Sequence, residues 1–174
     1  LIEIAIKQAT RIKSANRILF SSDSQNYNNI AKKSGAETLG IRPDFLSNDK
    51  SKTSDLLIHY SKLFTETDCL LLLQPTSPVR IISEIESAIE IFKENNQTVA
   101  SISLLDEPNP YKIKTLNHNN ELLPLIKDEN FNSEMPRQLL PKSYRLTGAF
   151  YCINFKKLIS YKQVLYPGSI GFIT

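Results

Sequence analysis

The chain has 174 residues, 41% of them hydrophobic and 22% charged, and a formal net charge of only +3. That balance fits one folded domain with a sizeable core, and its basic residues are scattered rather than massed, which argues against a nucleic-acid surface. No apolar run approaches the ~18 residues of a membrane span, and Glu3, Lys7 and Arg11 interrupt any signal-peptide core, so a cytoplasmic protein without membrane contact is expected.

Leu1, Ile2, Ala5, Ala9 and Ile12 share one helical face, so the chain opens in an amphipathic helix. Arg17–Ser22 reads as a short buried strand running into Asp23, which reads first as a helix N-cap and alternatively as a carboxylate at a ligand edge. Tyr27–Ser34 is helical, with Gly35 suited to the C′ position. A brief extended segment, Glu37–Leu39, leads to Arg42-Pro43, and a third helical run covers Ser54–Phe64. Cys69–Leu73 has the pattern of a strand buried on both faces. Ser83 and Glu86 have the spacing of a capping box, followed by an apolar stripe at Ile85, Ala88, Ile89 and Phe92. Thr98–Leu104 is another strand. The alternation predicts an α/β fold, Rossmann-like, with a mostly parallel sheet and helices on both faces.

The pattern breaks at Glu107–Pro110. Tyr111–Leu123 reads as two short strands around HNN, and Lys127–Met135 is polar and irregular. A core strand returns at Gly148–Ile153, followed by a short helix near Phe155–Ser160. The whole of 1–174 therefore reads as one domain, with 107–144 inserted between two elements of the main sheet. Cys69 and Cys152 lie in apolar runs and His59 and His118 are isolated, so two buried free thiols are expected and no zinc site. The chain begins on Leu1 in helical pattern and ends on apolar GFIT; both ends read as cut rather than finished.

Ligands of open α/β sheets sit outside the carboxyl ends of the strands. There, LLLLQPTSPVR places Gln74 at the end of an apolar strand, with Pro75 and Pro78 stiffening a turn that carries Thr76 and Ser77. Such a turn can read a small polar ligand, or it can be purely structural, with Ser77 capping and Gln74 tying down a loop. Arg42 at another strand end is either simply solvated, as surface arginines usually are, or placed for phosphate contact. Arg137, Pro141 and Gly148 form a second candidate cluster, in which Gly148 either lets a ligand approach or only marks close packing or a bulge.

Taken together, LLLLQPTSPVR, RILFSSDSQNYNNIAKKSGAE, RPDFLSNDKSKTSDLL and RQLLPKSYRLTGAFY resemble, in order, the motifs of the acylneuraminate cytidylyltransferases, the CMP-sialic acid synthetase family. LIEIAIKQA looks like that family's first full helix. The resemblance implies a nucleotide-diphospho-sugar transferase type of fold and transfer of CMP from CTP to a nonulosonic acid, sialic, legionaminic or pseudaminic, with Mg²⁺ and release of pyrophosphate. It implies a nucleotide side containing Arg42 and Thr53, and a sugar-acid side containing Gln74, Lys112, Arg137, Thr147 and Tyr151. It also implies a homodimer, with 107–144 as the dimerisation arm. The family's glycine-rich triphosphate loop and its Asp-Ile-Asp metal segment have no counterpart here, so the metal ligands are expected beyond Thr174. The 174 residues alone are expected to be inactive. Thr147 stands where the family usually has asparagine, which leaves the sugar open. The competing expectations are a non-catalytic dimeric sugar-acid-binding module and a cytidylyltransferase for Kdo.

Overall fold

The structure, a computed structural model, describes residues 1–66 and 68–174. These form two compact units: Leu1–Ser101 with Thr147–Phe172 and Thr174, and Ile102–Leu146 with Ile173.

The first unit begins with α1 (Ile2–Ala9), β1 (Leu19–Ser22), α2 (Gln25–Lys33) and β2 (Glu37–Ile41), with β1 and β2 parallel. Ile6, Ala31 and Ala36 are buried together, and Ile2, Ile18 and Phe20 close over them. Ser24, rather than Asp23, caps α2 by accepting from the Tyr27 amide at 3.4 Å, and Gly35 after its end has φ +99°. Helix α3 (Thr53–His59) and a 3-10 turn (Ser61–Leu63) divide the third helical run predicted from the sequence.

The main sheet has the order β3-β7-β4-β8, from β3 (Cys69–Leu72), β4 (Val99–Leu105), β7 (Ser143–Asn154) and β8 (Ile170–Ile173). Side chains alternate across it. Cys69, Leu71, Leu73, Val99, Phe150 and Cys152 pack on one face against α4 (Ile82–Asn95), through Ile85, Ala88, Ile89 and Phe92. Leu70, Leu72, Ala100, Tyr151 and Ile153 pack on the other, against Leu57 and Ile58 of α3 and Phe155 and Leu158 of α5 (Phe155–Tyr161). Helices on both faces are as expected from the sequence.

A mostly parallel sheet is not what forms: the central sheet is mixed, with β3 and β7 antiparallel and Leu72 opposite Tyr151. Parallel neighbours need a long crossover, usually a helix. The stretch leading into β7 carries only 3-10 turns and the strands β5 (Lys114–Leu116) and β6 (Leu122–Pro124), so β7 arrives against β3 in the opposite sense. Strand β3 also differs from expectation in burial. All four of its residues are half-buried, because β3 stands at the end of its sheet, with β7 as its one neighbour among the described residues.

The Ser83–Glu86 capping box does not form. Helix α4 starts at Ile82 with no side-chain cap. Glu86 instead accepts from the Lys13 amide at 2.6 Å and the Ser14 hydroxyl at 2.7 Å, tying the segment after α1 to α4. Both cysteines are free, Cys152 buried and Cys69 half-buried. A hydrogen bond with Cys69, together with burial, pushes the Cys152 thiol far up.

The chain leaves this unit within β4 and returns within β7. The second unit is an antiparallel hairpin, β5 against β6 with Leu116 opposite Leu122. Its turn is closed by Asn117, whose side-chain oxygen accepts from the Asn119 and Glu121 amides at 2.9 and 3.0 Å. Tyr111 stacks obliquely on Phe131 at 5.4 Å and donates to Asp128 at 3.2 Å.

Candidate functional site

The carboxyl end of β3 folds into a turn fastened at several points. The Ser77 amide donates to the Gln74 carbonyl at 3.0 Å, closing the turn that Pro75 and Pro78 stiffen. The Ser77 hydroxyl donates to the Thr147 carbonyl at 3.2 Å, joining the turn to β7. Arg80 holds its far end: Nε donates to Ala149 O at 2.5 Å, Nη1 to Gln8 Oε1 at 2.8 Å, and Nη2 to Gln74 O. Gln8 completes the link by donating to Pro78 O at 2.8 Å.

Gly148 is what lets the Gln74 amide lie against β7. It is buried, with φ +70°, and a Cβ added there would stand 2.7 Å from Gln74 Oε1 and 3.1 Å from Ser77 Oγ. A side chain at this position would meet both the left-handed backbone penalty and a clash. Beside it, Thr147 Oγ1 donates to Ser101 Oγ at 2.7 Å. Ser101, fully buried, donates to Phe150 O at 3.0 Å and accepts from Phe150 N at 3.1 Å, so its hydroxyl is saturated. The Thr147 proton is thus directed into the β4–β7 ladder. Tyr151 is buried opposite Leu72, and desolvation raises its phenol pKa. A cleft of ≈ 390 Å³ is lined by Ser77, Arg80, Ile81, Glu84, Thr147 and Ala149, among others.

Of the residues assigned to the sugar acid, Gln74, Thr147 and Tyr151 therefore converge on the end of β3 and on β7 within the first unit. Lys112 and Arg137 belong to the second unit. There the Arg137 guanidinium pairs with Glu107 at 2.8 Å and Asp106 at 3.3 Å, and Lys112 Nζ donates to Ser133 O at 3.2 Å. Arg137, Asp106 and Lys142 border a second cleft of ≈ 380 Å³. On the side assigned to the nucleotide, Arg42 bonds to Ser21, with Nε to Oγ at 3.2 Å and Nη2 to the carbonyl. Ser21 Oγ also lies 3.4 Å from the Tyr60 hydroxyl at the end of α3. Thr53 is at the other end of that helix, roughly 10 Å away at 1.5 Å per residue.

Sequence reading missed Gln8, Arg80 and Ser101. Gln8 sits on a helix that carries no motif by itself, and Ser101 is one polar residue in an apolar strand. The arginine of QPTSPVR was visible, but its three acceptors come from segments far apart in the chain. Among the described residues, no three His, Cys, Asp or Glu side chains come together to hold a metal ion. Among the described residues, no helix is long and apolar enough to cross a membrane.

No protein-family model matches the chain. It is 30% identical over 110 residues, 62% of its length, to the N-acylneuraminate cytidylyltransferase of Escherichia coli. It is 30% identical over 169 residues, 94% of its length, to the CMP-N,N'-diacetyllegionaminic acid synthase of Legionella pneumophila. It is also 27% identical over 156 residues, 87% of its length, to the post-translational flagellin modification protein B of Campylobacter coli. The chain spans 26% of the first of these proteins, 70% of the second and 65% of the third. Its fold matches the structure of CMP:2-keto-3-deoxy-manno-octonic acid synthetase complexed with CTP, with a TM-score of 0.66 at 13% identity over 99% of this chain and 78% of that one. With 94% of its residues aligned to a CMP-sugar-acid synthase at 30% identity, the chain belongs to the acylneuraminate cytidylyltransferase family.

Proposed function

We propose that this chain belongs to a cytidylyltransferase that moves CMP from CTP to the anomeric hydroxyl of a nonulosonic acid, releasing pyrophosphate, and that it carries contacts for both the sugar acid and the nucleotide. The observation that carries this reading is the alignment of 94% of the chain with a CMP-N,N'-diacetyllegionaminic acid synthase. The Gln74 turn seated on Gly148 supports it from the geometry.

In this reading the Gln74 amide is a contact for the N-acyl or hydroxyl groups of a sugar, and Arg137 and Lys112 are cations suited to a ligand carboxylate. Arg137 is free to do so at little cost. Its partners Asp106 and Glu107 have side chains 74% exposed, and such surface pairs contribute only about 0–1 kcal/mol. A bidentate bond to a ligand carboxylate is stronger. Arg42, already held by Ser21, presents its remaining nitrogen toward nucleotide phosphate, with Thr53 as the second nucleotide contact. Transfer of this kind depends on positioning and charge neutralisation rather than on a protein nucleophile. The resemblance adds Mg²⁺ as the ion that would neutralise the phosphates.

Residues 107–144, within the second unit, are proposed as the dimerisation arm. Its hairpin exposes Leu116 at 63% and Leu122 at 69%, with Leu123, Leu125 and Leu139 also open, an apolar surface of the kind that marks a protein contact. The working compartment proposed is the cytoplasm.

The test is calorimetric titration with CTP and with sialic, legionaminic, pseudaminic and Kdo sugars, alongside pyrophosphate detection. Saturable binding of a nine-carbon sugar acid is the expected result. No binding of any of them would overturn the reading, and a preference for Kdo would replace the substrate.

A further inference from the structure

We infer that Arg80 is a positioning residue, the clamp that sets where the Gln74 amide stands; the functional consequence rests on the sugar-acid reading above, but the clamp itself does not.

Three features of the guanidinium point this way. It is half-buried and, among the described residues, makes no ion pair. Its three bonding nitrogens instead reach uncharged oxygens on three separate elements: Ala149 O on β7, Gln8 Oε1 on α1 and Gln74 O at the end of β3. A planar fork of donors satisfies such a spread of acceptors, whereas the single ammonium of lysine is a point donor that reaches one or two. Neutral partners also mean that the charge is not cancelled. Withholding a half-buried cation from a carboxylate is costly unless geometry is gained, and the geometry here is that of the turn.

The path from Arg80 to Gln74 is short. The carbonyl that accepts from Arg80 is Gln74's own, and it also accepts from the Ser77 amide. On its other side the Gln74 side chain lies against Gly148, immediately before Ala149, whose carbonyl Arg80 also holds. One cation therefore fixes both the backbone from which the amide projects and the strand against which it rests. Gln8 adds a brace, taking one Arg80 nitrogen and giving one hydrogen bond to Pro78 O at 2.8 Å. Loss of the fork frees the turn to shift by a fraction of an ångström, and displacements approaching 1 Å cost up to about 10²-fold in a positioned site.

The experiment uses nitrogen-15 spectra of the chain, in which the Gln74 side-chain NH₂ pair is assigned by its disappearance in Gln74→Leu. In Arg80→Lys the pair is expected to shift and broaden while backbone dispersion is retained, and guanidinium ion added at millimolar concentration to Arg80→Ala is expected to restore it partly. A folded Arg80→Lys with the Gln74 pair unmoved overturns the proposal. If neither Arg80 variant folds, Gln8→Leu replaces them; it removes the brace alone and is expected to move the same pair less, and an unmoved pair again overturns the clamp. In a separate arm, Arg80→Lys is expected to weaken sugar-acid binding about tenfold or more with CTP affinity unchanged. Wild-type protein that binds no sugar acid would remove the functional reading while leaving the amide result to stand or fall by itself.

Discussion

Gly148 shows how one residue type is demanded twice over. Its φ of +70° lies where side chains are disfavoured, and the space a Cβ would need is held by Gln74 and Ser77. Gly148→Ala is expected to destabilise by about 1–2 kcal/mol, measured by denaturant melts, and to weaken sugar-acid binding more than it lowers stability, because Gln74 must move aside. Arg137 makes a contrasting case. Its carboxylate partners are exposed, so Arg137→Ala is expected to change stability by less than about 1 kcal/mol while weakening sugar-acid binding by about 2–4 kcal/mol in calorimetry. A large melting shift with unchanged affinity would reverse that assignment. Both residues drew attention in the sequence, Gly148 as a close-packing position and Arg137 as a cation before a proline turn. Gln74 drew attention too, but its contact with Gly148 did not, because the two lie far apart in the sequence and meet only when β3 and β7 pair.

Pairs of elements are held by single polar side chains. Ser101 joins β4 to β7 through three saturated hydrogen bonds; Ser101→Ala leaves Phe150 N and the Thr147 hydroxyl without that partner and is expected to cost about 1–3 kcal/mol in thermal or urea unfolding. Glu86 joins α4 to the segment after α1. Hydrogen bonds from Ser14 and from the Lys13 and Ser14 amides, with the Lys13 charge, hold its carboxyl below the usual carboxylate range. A lowered folded pKa stabilises above the unfolded value near ~4.3, and that contribution is lost as pH falls through the folded pKa. Glu86→Gln is therefore expected to melt below wild type at neutral pH, with the gap closing in acid. Periodicity located α4 and its buried stripe correctly, since burial of one face is written in the spacing. The Ser83–Glu86 motif misled because the same glutamate found stronger partners across the fold than at its own helix end.

At the scale of the molecule, the expectations concern assembly and turnover. A homodimer through the β5–β6 hairpin predicts a doubled mass in light scattering, and Leu116→Ser with Leu122→Ser is expected to yield monomers with unchanged melting. For the 174 residues by themselves, CTP and a nonulosonic acid are expected to give no detectable pyrophosphate, since the sequence has neither a glycine-rich basic loop nor an Asp-Ile-Asp segment; clear turnover would mean that other residues here supply those functions.

The sequence by itself determined the α/β class, the helices on both sheet faces, the turn at Gln74 and the family, because hydrophobic period and ordered local motifs are properties of neighbouring residues. Only the tertiary structure decided that β7 enters antiparallel beside β3, that Glu86 leaves its helix cap, and that Arg80, Gln8 and Ser101 hold the site. Each of those depends on which distant donors and acceptors meet when the chain closes, and backbone direction and hydrogen-bond competition across a fold have no local period to read.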